Sequence, residues 1–225
     1  MPTILITGAN RGIGHALTKA YLAEGWQVLA ACRQPETIDL DGVEAFALDL
    51  ADISSVEKLK HEIGDRPIDV LWNNAGVYLD KNKALGNFPW SDWERSFEIN
   101  TIAPIRLAHA LRDNVAASKR KVMAFTTSRL GSIELSTGGA YAYRSSKAAL
   151  NMAVKGLSIE LAPLAVTCVL LHPGWVRTDM GGEGGDIDVE TSATSMKAVV
   201  DGASPVTQDA YNGHFFNYDG TEFPW

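Results

Sequence analysis

A chain of 225 residues with 46% hydrophobic and 21% charged side chains has the make-up of an ordinary globular protein, long enough to bury the core of one α/β domain. Its formal charge of −7 argues against a nucleic-acid partner, which calls for a basic face. No apolar run approaches the ~20 residues that cross a bilayer, the opening MPTILITG has no basic stretch ahead of its apolar one, and no His, Cys and carboxylate cluster has metal-ligand spacing, so neither membrane, secretory signal nor metal is expected.

Short apolar runs alternate with longer amphipathic stretches from one end to the other. The runs TILIT, WQVLAAC, VEAFALD, DVLWNN, KVMAFTT, AVTCVLL and HFFNY read as strands. Between them lie helix-like segments: GHALTKAYLAEG, then SSVEKLKHEIG opened by Ser54 and closed by Gly64, then residues 90–118, 141–161 and 189–200. Strands alternating with helices predict parallel pairing through right-handed crossovers. The runs are apolar on nearly every position, as strands covered on both faces must be. The expectation is one α/β domain over residues 1–225, a doubly wound, seven-stranded parallel sheet with helices on both faces. Cys32 and Cys168 lie in or beside apolar runs and read as reduced thiols in or near the core, which makes the cytoplasm the expected compartment. The glycine-rich residues 181–188 have little backbone preference and read as a flap over a pocket or as a surface loop. They belong to a short candidate lid, residues 179–200.

Two places carry chemistry. The first follows the opening strand: Thr7-Gly8-Ala9-Asn10-Arg11-Gly12-Ile13-Gly14. Glycines at 8, 12 and 14 permit a tight turn and let a dinucleotide's pyrophosphate approach the backbone, while the helix beyond offers free N–H groups and a positive dipole end. The second is Tyr143-x-x-x-Lys147, with Ser128 upstream in Ser-x-x-Gly. Positions four apart share a helix face, so the ammonium is expected to lower the phenol from its ordinary value near ~10 and fit it for proton transfer. The Ser128 hydroxyl can donate to a substrate oxygen as charge develops there. Tyr141 lacks a lysine four residues on, and neither Thr127 nor Ser132 has a glycine three residues on. His172, at the end of a predicted strand, reads as structural.

With these motifs in order, followed by Asp49, Asn73-Asn74-Ala75-Gly76, Asn100 and Pro173-Gly174, the sequence resembles the short-chain dehydrogenase/reductase family over nearly its whole length. The segment SRLGSI, the short lid and the stretch DGTEFPW are similar to a compact branch with sniffer-type carbonyl reductases and C-factor-like signalling proteins. The resemblance implies a single-domain Rossmann fold and hydride transfer between a nicotinamide and a ketone, aldehyde or alcohol. It makes Tyr143 the general acid/base and Ser128 the substrate donor. Lys147 also grips the nicotinamide ribose, and Asn100 bonds a water that reaches Lys147. Cofactor contacts implied are Gly8, Asn10, Arg11, Gly12, Ile13 and Gly14 in the turn, Asp49 and Leu50 at the adenine, and Asn73, Ala75 and Gly76 along the adenosine ribose. Pro173, Gly174, Val176 and Thr178 lie on the nicotinamide side. No carboxylate follows the second strand; Arg33 stands there, with Arg11 as a second cation, which suits a 2′-phosphate and implies NADP(H) over NAD(H). Trp175, Met180 and Leu130 are candidate apolar lining for a small-molecule carbonyl substrate. A homodimer or homotetramer through the fourth and fifth helices is expected. A dinucleotide-binding signalling protein on the same fold is the alternative.

Overall fold

The computed structural model covers residues 1–225 and contains one seven-stranded, fully parallel sheet in the order β3-β2-β1-β4-β5-β6-β7. The strands are β1 (Thr3–Thr7), β2 (Gln27–Cys32), β3 (Val43–Ala47), β4 (Val70–Asn73), β5 (Val122–Thr126), β6 (Thr167–His172) and β7 (His214–Asn217). The principal helices are α1 (Gly12–Ala23), α2 (Ile53–Ile63), α3 (Trp90–Phe97), α4 (Ala103–Ala110), α5 (Arg112–Ala116), α6 (Tyr141–Leu161) and α7 (Val189–Gly202), with a last short turn, α8 (Gln208–Tyr211).

The period-2 pleat sorts each strand onto two apolar layers. Leu5, Leu29, Leu71, Met123, Phe125 and Leu170 face one side and pack with α2, α4 and α6. Ile4, Ile6, Val28, Trp72, Ala124 and Leu171 face the other and pack with Leu17 and Tyr21 of α1 and Met196 and Val200 of α7. This is the doubly wound arrangement that near-continuous apolar strands require. Lys197 ties α7 to α1: its ammonium lies 2.5 Å from Glu24 and 2.6 Å from Asp201, over the ring of Tyr21.

Four sequence expectations change in detail. VEAFALD is apolar in sequence, yet Glu44, Ala45 and Ala47 are exposed, because β3 is an edge strand paired only with β2. The cap of α2 is Asp52 rather than Ser54: its carboxylate accepts from the Ser54 N–H at 2.9 Å, so Ser54 already lies inside the first turn. Residues 90–118 do not form one regular helix. A π-helical turn, Glu98–Ile102, separates α3 from α4, and a break at Leu111 separates α4 from α5. The last long helix runs on to Gly202.

The strand order reverses at β1, whose neighbours β2 and β4 lead the chain in opposite directions across the sheet. In such sheets the crevice outside the carboxyl ends of the strands is the ligand site. The glycine turn leaves β1 at that point, and the segments after β2, β4, β5 and β6 surround it.

Candidate active site

A cleft of about 440 Å³ opens at this switch point, lined by the glycine turn, by Arg33 beyond β2 and Asp49 and Leu50 beyond β3, by Asn74–Val77 after β4, by Thr126 and Thr127, by Tyr143 and Lys147 of α6, and by Pro173 and Thr178 beyond β6. At one end the surface is mostly backbone. Gly8 and Gly12 take positive φ, +66° and +52°. Gly14 is packed against the turn itself: a Cβ there would overlap the Gly8 carbonyl oxygen, and one on Gly8 would sit 3.1 Å from Ala75. Only glycine lets the strand, turn and helix close this tightly. Helix α1 follows Arg11, an N-cap residue that makes no side-chain cap, and has no acidic residue in its first turn, so its leading N–H groups have no side-chain partner.

The cleft is basic in an acidic protein. Five cations line it, Arg11, Arg33, Arg95, Lys147 and Arg177, against the carboxylates of Asp49 and Asp179, while the whole chain carries −7. Arg11 reaches across to Asp179 at 2.7 Å, bridging the glycine turn and the segment after β6. Both partners are largely exposed, so this pair adds little stability. The glycine cradle, the uncapped helix and the cationic rim fit a phosphorylated dinucleotide.

At the other end the surface is made of side chains. Tyr143 and Lys147 lie on one buried face of α6, one turn apart. Gly131, the glycine of Ser128-x-x-Gly, has a visible reason: a Cβ there would stand 2.9 Å from the backbone of Lys147, so glycine lets the segment after β5 press against α6. Gly76 works similarly, since its Cβ would meet Asn100 Oδ1 at 3.1 Å and Lys147 Nζ at 3.4 Å. These contacts place Asn100 and Lys147 at a common point under the residues that follow β4.

The electrostatics differ from the sequence expectation. Burial pushes the Tyr143 phenol up to about 12; the Ser128 hydroxyl beside it lowers it, and Tyr78 raises it further. Burial also brings the Lys147 ammonium down to about 8. Its Nζ donates to the Thr126 carbonyl at 2.9 Å and lies 6.0 Å from the Tyr143 ring centre. The expected lowering of the phenol by the lysine does not occur here: burial dominates both groups, raising the phenol and lowering the ammonium.

The fully buried Asn100 sits in the π-helical turn. Its Oδ1 accepts from the Val77 N–H at 2.8 Å, and its Nδ2 donates to the Val77 carbonyl at 2.9 Å and Ser146 Oγ at 3.0 Å. Both amide hydrogens are spent on protein partners, so a water leading to Lys147 cannot be held by them.

Other predicted contacts divide. Asn10, Arg11, Gly12, Ile13, Gly14, Arg33, Asp49, Leu50, Ala75, Gly76, Pro173 and Thr178 all line the cleft. Asn73 does not: it is buried at the end of β4, its Nδ2 has no partner, and Asn74 lines the cleft in its place, held by Thr7. Gly174 and Val176 do not line the cleft. Gly174, at φ +85°, backs onto Ile187 and Tyr218, and Val176 bridges to Ile187. Among the decoys, Thr127 bonds Asn151 at 2.6 Å, Tyr141 points its carbonyl to Ser145, and His172 is buried edge-on to Phe223 and lowered to about 4 by burial and Arg129. Sequence reasoning missed Asn74, Val77, Arg95 and Arg177 as lining. Asn74 and Arg177 sit inside motifs that were read, whereas Arg95 carries no local signal.

Comparison with known proteins defines the family. The profile of the short chain dehydrogenase family matches residues 2–186. The C-signal protein of Myxococcus xanthus is 46% identical over 160 residues, 71% of this chain and 93% of its own. The solved carbonyl reductase Sniffer of D. melanogaster superposes with a TM-score of 0.90 at 34% identity, covering 100% of both chains. A Pseudomonas aeruginosa carbonyl reductase solved in complex with NADP gives 0.87 at 35%, again over 100% of both. The chain belongs to the short-chain dehydrogenase family of oxidoreductases, and its fold is that of the carbonyl reductases. No helix is long and apolar enough to cross a membrane.

Proposed function

We propose that this protein is an NADPH-dependent reductase of ketones or aldehydes, with Tyr143 as the proton donor. What supports the reading is that one cleft joins the glycine turn and its cationic rim to the buried Tyr143 and Lys147, with the Ser128 hydroxyl just behind the cleft wall, beside the phenol. The glycine turn and α1 N–H groups would hold the pyrophosphate, Arg33 and Arg11 the 2′-phosphate, Asp49 the adenine, and Lys147 the nicotinamide ribose. Bound there, NADPH supplies the hydride. Ser128 Oγ orients the substrate oxygen by donating to it. Tyr143 gives its proton to that oxygen as charge gathers on it. A phenol held near 12 keeps its proton at neutral pH, the state in which it can donate. A lysine brought down to about 8 exchanges protons near neutrality and can restore the phenol from solvent.

The test is a panel of ketones and aldehydes with NADPH and NADH, following loss of cofactor absorbance, with Tyr143→Phe as control. Turnover with NADPH on at least one apolar carbonyl, lost in the control, supports the reading. A Tyr143→Phe protein with unchanged turnover defeats it. Exposed Met152 and Ile159 on α6 supply apolar surface for a second copy, and sedimentation at micromolar concentration tests the proposed dimer.

A further inference from the structure

We infer that Asp80 is a positioning residue for the proton donor, acting from a loop outside the family's motifs. Asp80 is wholly buried in the segment after β4. Its carboxylate accepts from the Ala142 N–H at 2.8 Å and from the Tyr143 N–H at 3.2 Å, so it bonds the very residue whose phenol faces Ser128.

The helix needs this help. Residue Ala140 stands at the N-cap in the left-handed region, φ +46°, with no side-chain cap. Gly138 and Gly139 before it also take positive φ. Nothing local fixes where α6 begins, because glycine-glycine-alanine offers neither a capping oxygen nor a stiff backbone. A carboxylate 62 residues away in sequence supplies the missing acceptors and opposes the positive end of the helix dipole. The same short segment grips the site twice more. Tyr78 stacks on the Tyr143 ring, centres 4.2 Å apart and planes 17° apart, and Lys81 Nζ donates to the Met180 carbonyl of the lid at 2.8 Å. Asp80 is thus the fixed point of a clamp between the helix and the lid. Proton transfer depends steeply on the placement of the donor, so loosening the first turn of α6 should cost rate rather than cofactor affinity.

The inference rests on reading Tyr143 as the proton donor, and Tyr143→Phe tests that reading separately. Asp80→Ala is expected to lower kcat roughly 10- to 100-fold, with KM and Kd for NADPH unchanged. Amide hydrogen exchange on the protein without cofactor should show protection lost at residues 142–147 and kept in α1. Asp80→Asn keeps one strong acceptor and should recover most of the rate. Ser204→Ala, which removes a hydroxyl that accepts from the Thr207 N–H at 3.3 Å away from the cleft lining, should lower the melting temperature without touching kcat. If Asp80→Ala fails to fold, Asp80→Asn decides: kcat reduced a few-fold at unchanged NADPH affinity upholds the inference. A folded Asp80→Ala protein with normal kcat overturns it, as does, where Asp80→Ala does not fold, an Asp80→Asn protein with no loss of kcat. So does an Asp80 variant whose kcat and cofactor affinity fall together with the folded fraction.

Discussion

The two ends of the cleft are built by different means. The end at the glycine turn is local and made of backbone: one strand, one turn and one helix start, all within Thr3 to Ala23, with glycines set there by positive φ at Gly8 and Gly12 and by lack of room for a Cβ at Gly14. The opposite end, which we propose is the reacting end, is assembled from side chains that meet only after folding: Asn100 from a π-helical turn, Ser128 after β5, Tyr143 and Lys147 from α6, and Tyr78 and Asp80 from the loop after β4. Backbone sites resist substitution because nothing can move aside. Side-chain sites concentrate buried, titratable groups, and their chemistry follows from burial as much as from pairing. Tyr143 near 12 and Lys147 near 8 are both set first by loss of water.

This contrast can be broken or sharpened by experiment. The largest effect is expected at the reacting end: Tyr143→Phe should lower kcat/KM for carbonyl reduction by about 10²- to 10⁴-fold, the range of a lost general acid. The rise in melting temperature on adding NADPH should survive, because the glycine end is untouched. The mirror experiment is Gly14→Ala. Its Cβ would overlap the Gly8 carbonyl, so the NADPH-induced rise should disappear, and a retained rise would show that the turn can relax.

Titration should also separate the two ends. His172, under the reacting end, is held near 4 against an ordinary 6.5. The unfolded chain therefore binds this proton first. The stability it gives is complete above pH 6.5 and drains away as pH falls toward 4, by up to about 3 kcal/mol. Urea unfolding at pH 7 and pH 4.5 measures the loss, and His172→Leu should flatten it. The smallest effect of the four belongs to the cofactor rim. Arg33→Asp should shift the NADPH/NADH ratio of kcat/KM by about 10- to 100-fold toward NADH, the equivalent of one charge-assisted hydrogen bond of about 1.5–3 kcal/mol. An unchanged ratio would move the 2′-phosphate contact to Arg11 or deny it.

The glycine turn was legible because its requirements are short-range. A strand, three glycines and a helix start are read within a dozen residues, and the cleft lies where they meet. The Tyr143–Lys147 pair was legible for the same reason, one helical turn. Asn73 and Asn74 show where reading stops: both follow the same strand, and only the pleat and the Thr7 bonds decide that Asn74 faces the cleft. Asp80 had no local mark at all, since an isolated aspartate in a loop looks like any solvated turn residue until a helix start without a cap is brought onto it.

By itself, then, the order of residues determined the alternation of strands and helices, the turn at Gly8 to Gly14 and the helical pairing of Tyr143 with Lys147, because each depends on neighbours a few positions apart. Tertiary packing alone decided that β3 is an edge, that the helix of Asn100 bulges, that Asp80 caps α6, and that the phenol sits near 12. Those outcomes depend on which surfaces lose water together, and that is fixed only when segments distant in the chain close over one another.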